Sequence, residues 1–191
     1  FLRLCAARTG QILSVADLAR DADIAYDTAK GWLSILQETR MIFLLPPYAG
    51  NFSKRLIKSP RIYMLDTGLA AYLTRWSSPE ALMHGAMSGA FFETHVVSEI
   101  VKSFLFRGKQ PELYYFRDKE GHEVDLLLAH GRDVHPIEIK KASTIRREDI
   151  RGMTYLRKKV PSLAEGGVVC LAESGYRMTE RESVVPLVDI Q

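Results

Sequence analysis

The feature that most constrains this chain is a set of three extended segments joined by almost nothing. ELYYFRD, HEVDLLLAH and DVHPIEIKKA, which start at Glu112, His122 and Asp133, are separated only by KEG and GR, short links that each hold a glycine. Such links predict a three-strand meander. Strand alternation then sorts the side chains by face. In HPIEIKKA, Glu138 and Lys140 are two residues apart and share a face, with Ile137 and Ile139 on the other. In EVDLLL, Glu123 and Asp125 share a face opposite Val124 and Leu126. Two neighbouring strands of this kind bring Asp125 beside Glu138 and Lys140. Upstream, GAFFETHVVSEIVKSFLFRG predicts a long amphipathic helix over residues 88–106, with Glu93 one turn in. Downstream come a charged helix over 146–159, a buried strand in GGVVCLAES and a last strand near 184–188. Helix, meander, helix, strand is the order of an α/β half with a mixed sheet.

The first part reads differently. Ser14 precedes VADLARDA with Asp17 three positions on, a capping-box-like start, and Leu18 and Ala19 give that helix an apolar face. A tight link leads to a second helix over about 26–40, with Ala29, Trp32, Leu33 and Leu36 on its apolar side. Two extended runs, MIFLLPPY and RIYMLD, flank the basic stretch AGNFSKRLIKSP and predict a hairpin. Asp66 is expected to cap a helix starting near Thr67. Two packed helices followed by a basic hairpin describe a winged helix, and Leu18-Ala19, Ile24, Thr28 and Leu33 fit helix-turn-helix spacing. A DNA-binding version would lay the second helix in a major groove, presenting Tyr26, Asp27 and Lys30. Its wing would offer Lys54, Arg55, Lys58 and Arg61 to phosphates. Asp23 and Asp27 would repel a phosphate backbone, so a protein-binding role stays open beside the DNA-binding one. A connector rich in small residues over 74–89 places the division between residues 1–80 and 81–191.

Composition narrows the class. Of 191 residues, 47% are hydrophobic and 26% charged, as in ordinary globular chains. No apolar run approaches the roughly 18 residues of a membrane span, and no secretory signal is present. The expected setting is the cytoplasm, without a membrane partner. Cys5 and Cys170 show no CxxC spacing, which excludes a disulfide scaffold and a cysteine zinc finger. The net charge of +3 lies wholly in residues 1–80, which hold ten Lys/Arg against seven Asp/Glu, while 81–191 hold sixteen of each. That excess is either a phosphate-binding patch or plain solvated surface. The five histidines pair at no metal-ligand spacing and read as turn and surface residues. Arg117 either approaches a phosphate or pairs with Asp118 or Glu120. Tyr114, Tyr115 and Phe116 read as sheet packing. There is no GxxxxGK[ST] sequence and so no P-loop. The chain opens at Phe1 inside an apolar stretch, FLRLCAAR, as a fragment of a longer protein would.

Paired carboxylates offer the oxygen ligands that Mg²⁺ or Mn²⁺ takes. A lysine beside them stabilises charge developing on a phosphate or positions the attacking water. Each residue also has a plain reading: an exposed ion pair for ExK, a turn cap for Asp125, a surface acid for Glu93. Together, Glu93 … Asp125 … Glu138-Ile139-Lys140 resembles the PD-(D/E)XK nuclease superfamily, with Val124 in place of the motif's proline. Through LLPPY, KRLIKSPRIYMLDTGLAAYL, GAFFETHVVSEI, YYFRDKEGHEVDLLL and IEIKKA, the chain also resembles the C-terminal region of a family of prokaryotic AAA-type ATPases of unknown function. That resemblance implies an α+β or α/β chain, a winged helix-turn-helix domain followed by a restriction-endonuclease-like α/β domain with a central mixed sheet. It implies Asp125, Glu138 and Glu93 as ligands of Mg²⁺ or Mn²⁺ and Lys140 as the catalytic lysine. The implied partners are nucleic acid, with DNA expected, and an upstream ATPase domain. The expected function is a metal-dependent nuclease-like domain beside a DNA-binding-like winged helix. The alternative is a catalytically inactive module that targets the ATPase to DNA or protein.

Overall fold

A computed structural model of the chain describes residues 1–48 and 57–190. They form a mixed α+β fold in two compact units, Phe1–Leu45 with Ser59–Ser98, and Pro46–Lys58 with Glu99–Gln191. The division expected after residue 80 falls inside the first unit. Among the described residues no helix is long and apolar enough to cross a membrane.

The first unit holds α1 (Leu2–Ala7), β1 (Gln11–Ile12), α2 (Val15–Asp21), α3 (Tyr26–Glu38), β2 (Ile42–Leu45), β3 (Arg61–Met64), α4 (Thr67–Leu73), α5 (Pro79–His84) and the start of α6 (Ser88–Phe106). Local chemistry sets the helix starts. The Ser14 hydroxyl accepts the Asp17 amide at 3.2 Å, and the Asp66 carboxylate accepts the Leu69 amide at 2.8 Å. β3 is the central strand of a three-stranded sheet of order β1-β3-β2, antiparallel throughout, with Ile42 opposite Met64 and Leu45 opposite Arg61. β1 was not expected, because two residues are too few to show alternation. Leu18, Leu33, Ile42, Ile62 and Met64 form the core. Trp32 departs from its expected burial: it is 43% exposed and meets the Phe1 ring edge-on at 5.2 Å. α3 buries Ala29 and Leu33, and the turn angle that aligns those two swings Trp32 to the rim of the stripe. A buried hydroxyl pair adds a polar tie. Thr94 donates to the Ala90 carbonyl at 2.7 Å, so Thr9 donates to Thr94 at 2.8 Å while accepting the Met64 amide at 3.1 Å.

The second unit holds β4 (Leu113–Arg117), β5 (Glu123–His130), β6 (Asp133–Lys140), a 3-10 turn (Arg147–Ile150), α7 (Arg151–Lys159), β7 (Gly166–Cys170), β8 (Tyr176–Arg177), β9 (Glu182–Pro186) and a closing 3-10 turn (Leu187–Ile190). The six-stranded sheet runs β4-β5-β6-β7-β9-β8. β4, β5 and β6 form the expected antiparallel meander, while β6, β7 and β9 are parallel, so the sheet is mixed. β8, short and exposed, carried no signal in the sequence. The helix expected from residue 146 opens as a 3-10 turn, where the Arg146 amide donates to Asp149 at 2.8 Å. Val124, Leu127, Met153, Leu156, Val168 and Val184 form the core between α7 and the sheet.

One buried ion pair ties α7 to β9. Arg157 Nε lies 2.7 Å from Glu182 Oε1, with the two side chains only 13% and 8% exposed. The remaining guanidinium donors reach the Leu163 carbonyl at 2.9 Å and the Ala164 carbonyl at 2.7 Å. The Thr179 hydroxyl bonds the second carboxylate oxygen of Glu182. Removing one partner of a buried pair costs about 3–5 kcal/mol, because it strands the other charge. Arg157→Met is therefore expected to lower the thermal midpoint by roughly 10 °C, at about 2–4 °C per kcal/mol for a chain of this size. Adding Glu182→Leu should recover much of that loss. Calorimetry on the single and double variants checks both outcomes.

Candidate functional site

The site begins where strand pairing ends. β5 and β6 pair from His130 opposite Asp133 as far as Leu126 opposite Ile137. One step further along, the Asp125 carboxylate accepts the Ile139 amide at 2.9 Å. Glu138 and Lys140 follow on β6 with the spacing that puts both on one face. Lys140 Nζ stands 4.0 Å from Asp125 Oδ2 and 3.7 Å from Glu138 Oε2. Asp125 is 7% exposed and Glu138 4%. The structure thus brings together three of the residues singled out from the sequence.

Crowding two carboxylates in a buried place has a cost. Burial pushes the Glu138 carboxyl far above its ordinary value of 4.5, and the Asp125 charge beside it pushes the same way, with Lys140 opposing. The burial comes from α7. A Cβ placed on Gly152 would lie 1.8 Å from the Glu123 carbonyl oxygen and 2.7 Å from Glu138 Oε1. Only glycine lets the helix backbone settle there.

Asp125, Glu138 and Lys140 line an open cleft of 1080 Å³, whose other walls include His122, Arg147, Arg151, Tyr155 and Lys158. The hairpin turn between β4 and β5 forms one rim. Asp118 Oδ1 accepts the amides of Glu120 and His122, both at 2.9 Å, and Asp118 Oδ2 lies 3.0 Å from His122 Nδ1. The His122 ring stacks on Tyr155 with centroids 3.5 Å apart. Burial acts to raise the Asp118 carboxyl, but bonds from the His122 amide, Tyr155 and the His122 ring hold it below its ordinary value. Asp118, Glu120 and His122 could together hold a metal ion, with one ligand atom from each lying within 4.8 Å of the others. From the sequence His122 reads as a plain turn residue, which hides this group. The signal was D-x-E-x-H across a glycine turn.

The other expected site residues have partners or surroundings of their own. Glu93 belongs to the first unit, where Oε1 accepts the Tyr63 hydroxyl at 2.6 Å and pairs with Arg61 at 3.1 Å. Burial and then the Glu93 charge raise the Tyr63 hydroxyl well above its ordinary value. Arg61, expected to meet phosphates from the wing, is only 4% exposed. The central strand of its sheet turns it inward to Glu93. Arg117 pairs with Glu123 at 3.1 Å, not with Asp118 or Glu120, because the β4–β5 register sets those two residues opposite each other. Lys30 on α3 and Lys58 are exposed. Lys54 and Arg55 lie outside the described residues.

The family described as "Domain of unknown function (DUF4143)" matches residues 88–190, and one described as "Domain of unknown function (DUF8612)" matches residues 1–80. Uncharacterized proteins of Mycobacterium bovis and Mycobacterium tuberculosis are each 34% identical to the chain over 135 residues, 71% of its length. The chain spans about 30% of the length of these curated relatives.

Two outcomes follow from the packing at Glu138. Gly152→Ala forces α7 off the sheet and is expected to destabilise the chain by about 3 kcal/mol, as overpacking does, in chemical denaturation. Glu138→Gln removes an acid whose folded pKa is raised. Such a group favours folding below its unfolded value and loses that contribution as pH climbs toward its folded one. The variant should therefore melt several degrees above the parent chain at pH 8, with the gap narrowing toward pH 5, in thermal scans across that range.

Proposed function

The chain belongs to the DUF4143 family, whose description names no chemistry, and from the site itself we propose that the second unit is a metal-dependent phosphodiesterase of the nuclease type, built as a restriction-endonuclease-like domain. The observation that carries this reading is the buried Asp125–Glu138 pair with Lys140 beside it, lining an open cleft of 1080 Å³. The residues fit a divalent cation. Carboxylate oxygens are the hard ligands that Mg²⁺ and Mn²⁺ prefer, and a cation between them relieves the repulsion that raises Glu138. Asp125 and Glu138 would hold the ion, which when bound would lower the pKa of a water and neutralise charge on the phosphate.

The remaining roles fall to the chain's own groups. The Ile139 amide fixes the Asp125 carboxylate and so its bearing on the cleft. The Lys140 ammonium, within 4.0 Å of both acids, keeps positive charge where a phosphate oxygen would gather negative charge. We read the first unit as a winged helix, α2 and α3 followed by the β2–β3 pair, with exposed Lys30 on the helix that would meet DNA. The partner this reading implies is an upstream ATPase domain, for which the greater length of the relatives leaves room. A second reading has one specific observation in its favour. Glu93, the third acid that the nuclease resemblance implies, is held by Arg61 and Tyr63, as suits an inactive module that targets a partner to nucleic acid or protein.

Cleavage decides between them. Labelled single-stranded, duplex and branched DNA, and RNA, are incubated with Mg²⁺ and then Mn²⁺, using the chain and its Asp125→Asn variant. We expect cleavage by the parent chain that falls at least about 100-fold in the variant, the loss expected when a metal ligand or transition-state contact is removed. Mn²⁺ should also raise the thermal midpoint of the parent chain alone. Absence of both effects would sink the nuclease reading and leave the targeting module.

A further inference from the structure

The sequence points to nucleic-acid contacts on α3, the hairpin and Arg117. The cleft offers a different set. Arg147, Arg151 and Lys158 all line it and are all exposed. They sit four and then seven residues apart, along the 3-10 turn and α7, so they form one row on the side of the helix that faces the carboxylates. We propose that this row is the rail on which a single nucleic-acid strand lies across the site, its phosphates taken in turn by Lys158, Arg151 and Arg147. The proposal rests on the nuclease reading and names how its substrate is held.

Two observations carry it. The first is the lack of local partners. Four arginines of this unit are matched to carboxylates: Arg117 to Glu123, Arg146 to Glu148, Arg157 to Glu182 and Arg177 to Glu165. Arg147, Arg151 and Lys158 have no carboxylate partner among the described residues. The acids of the same turn are engaged with Arg146: Glu148 through its guanidinium at 3.6 Å and Asp149 through its amide at 2.8 Å.

The second is placement. Arg151 opens α7, where the helix dipole disfavours a cation, and Arg147 stands four residues before it, a like charge on the same side. Local helix energetics favour Lys158, near the C-terminus, but not these two. An anion brought from outside reverses the sign for both. Arg151 and Lys158 are separated by seven helical residues, about 10 Å along the axis. A lone phosphate spans less than that, so the ligand that satisfies the row is an extended polyanion. A single row on one helix follows one backbone, hence one strand.

The test is binding without cleavage. Affinity of the Asp125→Asn chain for a labelled single-stranded 20-mer is measured by fluorescence anisotropy from low to moderate salt. The same measurement is made after adding Arg147→Gln, Arg151→Gln and Lys158→Gln together. Each phosphate contact contributes about 0.7 to the log–log salt slope for a single strand. The triple substitution should therefore flatten the slope by about 2 and weaken binding at least tenfold at low salt. An unchanged slope, or no binding before the substitutions, overturns the rail. So does displacement by poly-glutamate as effective as by unlabelled DNA, which would assign the row to acidic protein. The thermal midpoint of the triple variant and its Mn²⁺ shift in an otherwise parent chain show that fold and acid pair are intact. No cleavage and no Mn²⁺ shift in the parent chain, with the salt slope flattened as expected in the triple variant, would sink the nuclease reading alone, and cleavage with an unchanged slope would sink the rail alone.

Discussion

The cleft depends on how closely α7 approaches β5. At Gly152 the helix backbone sits against the Glu123 carbonyl, with no room for even a methyl group. Met153 and Leu156 on the same helix are driven into the core beside Val124 and Leu127, and burial of that apolar surface is what holds the contact shut. Three consequences come from this one approach. Glu138 loses its water and becomes hard to ionise. The α7 side chains Arg151, Tyr155 and Lys158 line the same cleft as the acids. Tyr155 becomes the surface on which His122 stacks, which fixes the β4–β5 turn at the rim.

Much of this fold was legible because its signals are local. The α6 bounds, the Ser14 and Asp66 caps and the meander each rest on a pattern carried within a few residues. So does the Asp125–Glu138–Lys140 grouping, which needs only strand alternation and a short turn. What was not legible depends on partners set by three-dimensional register. Nothing in RIYM says that Arg61 lies on a central strand and turns inward to an acid 32 positions away. Arg117 is an intermediate case. The turn at 118–122 places it opposite Glu123, so its partner was within reach had the hairpin register been worked out. The charge count misled in a different way. Residues 81–191 balance to zero, and a sum cannot show that the cations of the 3-10 turn and α7 line one cleft with the buried acids of β5 and β6.

The two walls carry opposite local costs. On one, Asp125 and Glu138 are packed more closely than two carboxylates favour, and on the other, Arg151 opens α7 where the helix dipole disfavours it, with Arg147 four residues before it. A chain selected for stability alone would let these charges neutralise each other. Here the sheet fixes the acids by their backbone: Asp125 is tied to the Ile139 amide and Glu138 lies under Gly152. The arginines are fixed by the helix they open, and among the described residues no ion pair joins the two walls. Under the proposed function each cost would fall with a matching counter-charge from solution, a cation for the acids and an anionic strand for the row. Binding one ligand also lowers the cost of binding the other, since the cation and the strand attract across the same space. On the proposed reading, this separation of charge is what would let the cleft take a metal and a phosphodiester together better than either alone.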